Sequence, residues 1–169
     1  MSVGRIGNGN DLKVFISYGH PADQITALRL QALGAVNGLT IFVPPVFTRS
    51  FNGMFDSDSG QKLLEADVVL GVVGEGLTDG CRQELNIGLA NHKKMIVMAS
   101  PVFAQQLHGV FGANLVVMDP TNPIAAETGI MAHLKELGLD SNQSAAKALL
   151  ALGILTLGLV FLSRAADGD

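Results

Sequence analysis

Asp67-Val68-Val69-Leu70-Gly71-Val72-Val73 (DVVLGVV) is the stretch on which the fold turns. It is apolar at successive positions, not alternate ones, so a strand built from it is buried on both faces. Such a strand belongs inside a parallel sheet with helices on each side. Gly74, Glu75 and Gly76 then form a turn, and Thr78 or Asp79 caps a helix over Gly80–His92. Leu85, Gly88 and Leu89 give that helix its buried stripe.

Similar units flank this one. On the N-terminal side, Lys13–Tyr18 (KVFISY) is a buried strand, and Pro21 stands where a first helical position tolerates it. Ile25, Leu28, Ala32, Leu33 and Val36 follow at helical spacing and read as the core face of the first helix. Asn37 and Gly38 stop it, and Leu39–Val43 is the second strand. A long irregular segment runs from Pro44 to about Ser59, and Gln61–Ala66 is a short helix. Loops of that length are uncommon in compact domains and are usually functional or mobile.

On the C-terminal side, Lys94–Ala99 is a fourth strand, Val102–Leu107 a brief helix and Ala113–Met118 a fifth strand. A last helix over Pro123–Leu137 buries Ile130, Leu134 and Leu137, with Gly138 as its stop. Five strands with helical crossovers make a doubly wound α/β domain, and the flavodoxin-like order 2-1-3-4-5 is expected. That order puts a ligand crevice at the carboxyl ends of strands one and three.

Composition narrows the function. A net charge of -4 leaves no electrostatic footprint for nucleic acid. Cys81 is the only cysteine, which excludes internal disulfides and argues against a cysteine-based zinc site. Only 15% of residues are charged, so part of the chain should meet something other than water. Residues 148–162 (ALLALGILTLGLVFL) carry no charge, are apolar on every face and lie between Lys147 and Arg164. The expected organisation is a lead-in over 1–10, an α/β domain over 11–139, a linker over 140–146, a hydrophobic helix over 147–164 and a tail over 165–169. A helix between those cations spans only ~24 Å against a hydrocarbon core of ~30 Å. Snorkelling, local thinning or oligomerisation closes the gap. The chain opens without an apolar signal segment, so the α/β domain is expected on the cytoplasmic side of a membrane anchor. A soluble cytoplasmic oligomer with a self-associating helix is the alternative.

The chemistry-bearing residues gather at the expected crevice. Tyr18, Gly19 and His20 follow strand one, and Gly74 to Gly80 follow strand three. Glu84 stands one turn into the next helix, beside its buried stripe. A carboxylate near a helix N-terminus is stabilised as an anion. It suits stabilisation or covalent trapping of the oxocarbenium-like cation formed when a sugar C1–N bond breaks. A surface glutamate supporting the first helical turn is the plainer reading. Cys81 reads as a small packing residue, and His20 as a proton shuttle or a helix cap.

Val14-Phe15-Ile16-Ser17-Tyr18, with Asp23 shortly after, resembles the opening box of TIR domains. Asp79-Gly80-Cys81-Arg82-Gln83-Glu84-Leu85 is similar to their later Cys-x-x-Glu-Leu box. The resemblance covers about 125 residues in the same order, although Asp79 and Gly80 stand where many members carry tryptophan. It implies an NAD glycohydrolase or cyclase of prokaryotic immune type, with Glu84 catalytic and NAD as substrate, not cofactor. It also implies a homo-oligomer whose loop after strand two contacts a neighbouring subunit. On that reading Tyr18, Gly19, His20, Asp79 and Cys81 bound the substrate site, with Phe47 stacking on a ring and Arg49 meeting phosphate. Loop packing for Phe47 and a solvated charge for Arg49 are the alternatives. Ala66-Asp67-Val68-Val69 and Glu84-Leu85 are more distantly similar to nucleoside deoxyribosyltransferase-like proteins, where the glutamate attacks the sugar. A TIR scaffold without turnover, or an effector that disrupts membranes, stays open beside the enzymatic readings.

Overall fold

The computed structural model describes residues 12–45 and 57–139. Strands β1 (Lys13–Tyr18), β2 (Thr40–Phe42), β3 (Val68–Val73), β4 (Lys94–Ala99) and β5 (Leu115–Val117) form one sheet. Every pairing is parallel, and the order is β2-β1-β3-β4-β5. The helices are α1 (Gln24–Val36, after a 3-10 turn over Pro21–Asp23), α2 (Ser57–Glu65), α3 (Asp79–Ala90), α4 (Pro101–Phe111) and α5 (Pro123–Leu139). This is the flavodoxin-like fold expected from the apolar runs.

Alternate residues of the strands feed two cores. Val14, Ile16, Tyr18, Leu70 and Met98 face α1 and α5. Phe15, Val69, Val73 and Val97 face α2, α3 and α4. Every residue of β3 is buried, which is why its sequence shows no alternation. At its C-terminal end, the chain passes from β3 through Thr78, whose Oγ1 accepts from the Cys81 amide at 3.4 Å and so starts α3.

Two helices face the sheet differently from expectation. On α1 the buried residues are Ala27, Leu30 and Gly34. Ile25, Leu28, Leu33 and Val36 are 66%, 47%, 40% and 87% exposed, and Ala32 is exposed with them. The cause is close packing: a Cβ on Gly34 would lie 2.3 Å from Cδ1 of Ile41, so α1 approaches β2 through its small residues. On α3 the stripe is Cys81, Glu84, Leu85 and Gly88, while Leu89 is 37% exposed. The brief helix expected before β5 extends to Phe111, and β5 shrinks to three residues behind a 3-10 turn over Gly112–Asn114. Helix α5 runs through Gly138 instead of stopping there.

Among the described residues no helix is long and apolar enough to cross a membrane. The lead-in, the segment 46–56 and everything after Leu139, including the hydrophobic stretch 147–164, lie outside the described residues.

Candidate active site at the carboxyl edge of the sheet

Ser17 is the fifth residue of β1, and it points to the α3 side with Phe15. Across from it, α3 comes close to the sheet because Leu85 packs on Gly71: a Cβ there would sit 3.2 Å from the leucine Cδ2. Gly71 pairs in register with Ser17. The open space beside a glycine is thus what lets the second turn of α3 lie against β1.

Glu84 comes into that position. Its Oε2 accepts a hydrogen bond from Ser17 Oγ, and the two residues are 4% and 0% exposed. The Cys81 sulfur lies 3.3 Å from the same hydroxyl oxygen. Ser17 has one proton and gives it to the carboxyl group, so the thiol is placed to donate to Ser17. The result is a buried polar cluster of hydroxyl, thiol and carboxyl group drawn from two elements. Buried acids of this kind persist only with partners that offset their desolvation.

The loops after β1 and β3 meet directly beside this cluster. Gly19 donates to the Val72 carbonyl at 2.8 Å, and its own carbonyl accepts from Thr78 at 3.2 Å. A Cβ on Gly19 would lie 1.7 Å from the Gly76 oxygen, so only glycine fits. The crevice expected between these loops is therefore closed at Gly19 by backbone against backbone.

A second tie joins the same loops. Asp23 is 5% exposed, and its Oδ1 accepts the Glu75 amide at 3.0 Å. Burial raises the Asp23 carboxyl above its ordinary value, and the Glu75 charge adds to that. Hydrogen bonds from the Glu75 and Gly74 backbone, together with His20, pull the other way.

The remaining sequence candidates divide. Glu84 and Cys81 are brought together, with Asp79 exposed at the start of the same helix. Tyr18 faces the opposite core, and its hydroxyl donates to the Pro44 carbonyl at 2.7 Å, pinning the start of the segment after β2. His20 is exposed, and its Nδ1 accepts the Ala22 amide at 3.1 Å, which makes it the cap of the 3-10 turn. Phe47 and Arg49 lie outside the described residues. Ser17 was not among the candidates, although one signal marked it: a small hydroxyl side chain on the same face of the strand KVFISY as Phe15. Among the described residues no group of three or more His, Cys, Asp or Glu side chains could hold a metal ion.

No protein family and no curated protein matches the sequence. Among solved structures, the chain is similar to the NAD(P)H:quinone oxidoreductase from Methanothermobacter marburgensis. That similarity has a TM-score of 0.44 and 11% identity, and it covers 79% of this chain and 98% of the other.

Proposed function

We propose that this chain is a TIR-type enzyme that cleaves the nicotinamide–ribose bond of NAD, with Glu84 as the catalytic residue. The observation that supports this reading is the Glu84 carboxyl group fixed by Ser17 at the carboxyl edge of β1. In the reaction the C1–N bond breaks and its electron pair leaves with nicotinamide, which becomes neutral. The ionised Glu84 stabilises the positive charge that develops at C1, or bonds to it covalently. Water then adds to C1 and loses a proton, giving ADP-ribose; attack by a ring nitrogen of the same molecule gives a cyclic product instead. The Ser17 hydroxyl holds the acid in one orientation, so little reorganisation accompanies charge development.

The same reading carries an oligomer tethered to a membrane. Residues 147–164 form the anchor, the α/β domain faces the cytoplasm, and neighbouring subunits complete each site. The biological setting is a defensive or cell-death response in which NAD is depleted or converted to a signal.

Full-length protein in detergent, incubated with NAD, tests the chemistry. Nicotinamide release should fall at least 100-fold in Glu84→Gln, on the order of 3 kcal/mol of transition-state stabilisation. Equal release by both proteins removes the mechanism.

One observation favours a second reading, an assembly module without turnover: the outward apolar stripe of α1. A second copy of this chain is the partner it would bind. Assembly on liposomes with no nicotinamide release at any protein density supports that reading over the first.

A further inference from the structure

At the opposite edge of the sheet from Glu84, where β4 and β5 begin, lies a cavity of about 420 Å3. Its size falls in the usual range for small-molecule clefts, roughly 300 to 1,000 Å3. Met95, Phe111 and Leu137 line it with apolar surface from three elements, β4, α4 and α5. Leu89 and Val110, two of the large apolar side chains left exposed, stand at the same place, and Val110 is 62% exposed.

The polar lining comes from His92, Lys93, Lys94, Asn114 and His133. His133 lines the cavity from α5 and is only 3% exposed, yet its Nδ1 has no hydrogen-bond partner among the described residues. A buried ring nitrogen left unpaired carries a desolvation cost that nothing offsets. Lys94 and Asn114 add one cation and one amide. Lys93 lines the same cavity, but its ammonium already donates to the carbonyls of Leu64 and Ala66 at 2.5 and 2.8 Å. Lys94 makes no ion pair among the described residues and is exposed. Glu136 acts on His133 from the same helix and opposes a doubly charged anion.

We propose that this cavity binds a small amphipathic carboxylate, its apolar body over Met95, Phe111 and Leu137 and its head on Lys94, Asn114 and His133. One unpaired cation matches one negative charge, which favours a carboxylate over a phosphate. The apolar floor favours a body of several carbons over a free small acid. The bound head gives His133 Nδ1 a partner that no described residue supplies. Apart from Leu89, at the far end of α3, the lining lies on other elements than the Ser17–Glu84 pair, so the site stands or falls apart from the glycosidase reading.

Octanoate is a suitable probe, added to the full chain in detergent below the micellar range of the acid, with histidine and methionine side-chain resonances observed by NMR. Saturable shifts at His133 and Met95, weakened at least tenfold in Lys94→Gln and absent with octylamine or inorganic phosphate, are expected. Lys94 is exposed, so its substitution keeps the fold even where His133→Phe does not. No saturable shift at His133, equal shifts in Lys94→Gln, or equal shifts with octylamine or phosphate would each overturn the proposal.

Discussion

The Ser17 hydroxyl donates to the Glu84 carboxyl group across the β1–α3 contact, with both side chains enclosed. Ser17→Ala leaves the buried acid with one donor fewer. A hydrogen bond to an ionised group contributes about 1.5 to 3 kcal/mol. Urea unfolding of Ser17→Ala should show a loss of that order, and on the proposed glycohydrolase reading nicotinamide release should fall with KM changed less than kcat. Unchanged stability would mean that the remaining contacts of Glu84 suffice without Ser17.

Gly19 admits no side chain, whereas Gly80 has nothing within 4 Å of its virtual Cβ. Gly19→Ala must push the loop after β1 away from Gly76, costing about 1 to 3 kcal/mol or more. Gly80→Ala, at the second residue of α3, should be neutral or stabilise by up to about 1 kcal/mol through helix propensity. Thermal midpoints of the two variants therefore move in opposite directions, or only the first moves.

Asp23 sets a pH dependence whose sign follows from its burial. Its carboxyl group holds a proton more tightly in the folded chain than in the unfolded one. The stability it contributes is complete below the unfolded value of 3.8 and is lost as pH rises through the folded value. Asp23→Asn cannot ionise. The stability of the wild type relative to Asp23→Asn should thus decline as pH rises above about 4 and then level off. A pH series of urea midpoints for both proteins reads this directly; a difference that grows with pH contradicts it.

Helix α1 offers a test of which face is inside. Val36→Gln and Ile25→Gln alter exposed positions and should change stability by no more than about 0.5 kcal/mol. Leu30→Ala empties a fully buried position and should cost about 2 to 5 kcal/mol. Chemical denaturation of the three variants gives the ranking.

The sheet was legible because β3, β1 and β4 are apolar on successive residues, and only a doubly covered parallel strand needs that pattern. The orientation of α1 was not legible. Ile25, Leu28, Ala32 and Val36 repeat at helical spacing whether they face inward or outward. What decides is the close approach of Gly34 to Ile41, a contact between elements that periodicity does not report. Glu84 was found from its place after the Thr78 cap, while Ser17 was absorbed into an apolar run. Closure of the crevice by Gly19 and Gly76 depends on two loops crossing, and the His133 cavity on β4, α4 and α5 converging. Neither has a local motif.

Both outer strands of the sheet, Thr40–Phe42 and Leu115–Val117, are half as long as the six-residue strands between them. A foreign strand arriving at either border finds too few free amide and carbonyl rungs to extend the ladder. Filament growth by strand addition is thereby discouraged at the two places where a parallel sheet is most open to it. Contacts made at those two borders are left to side chains.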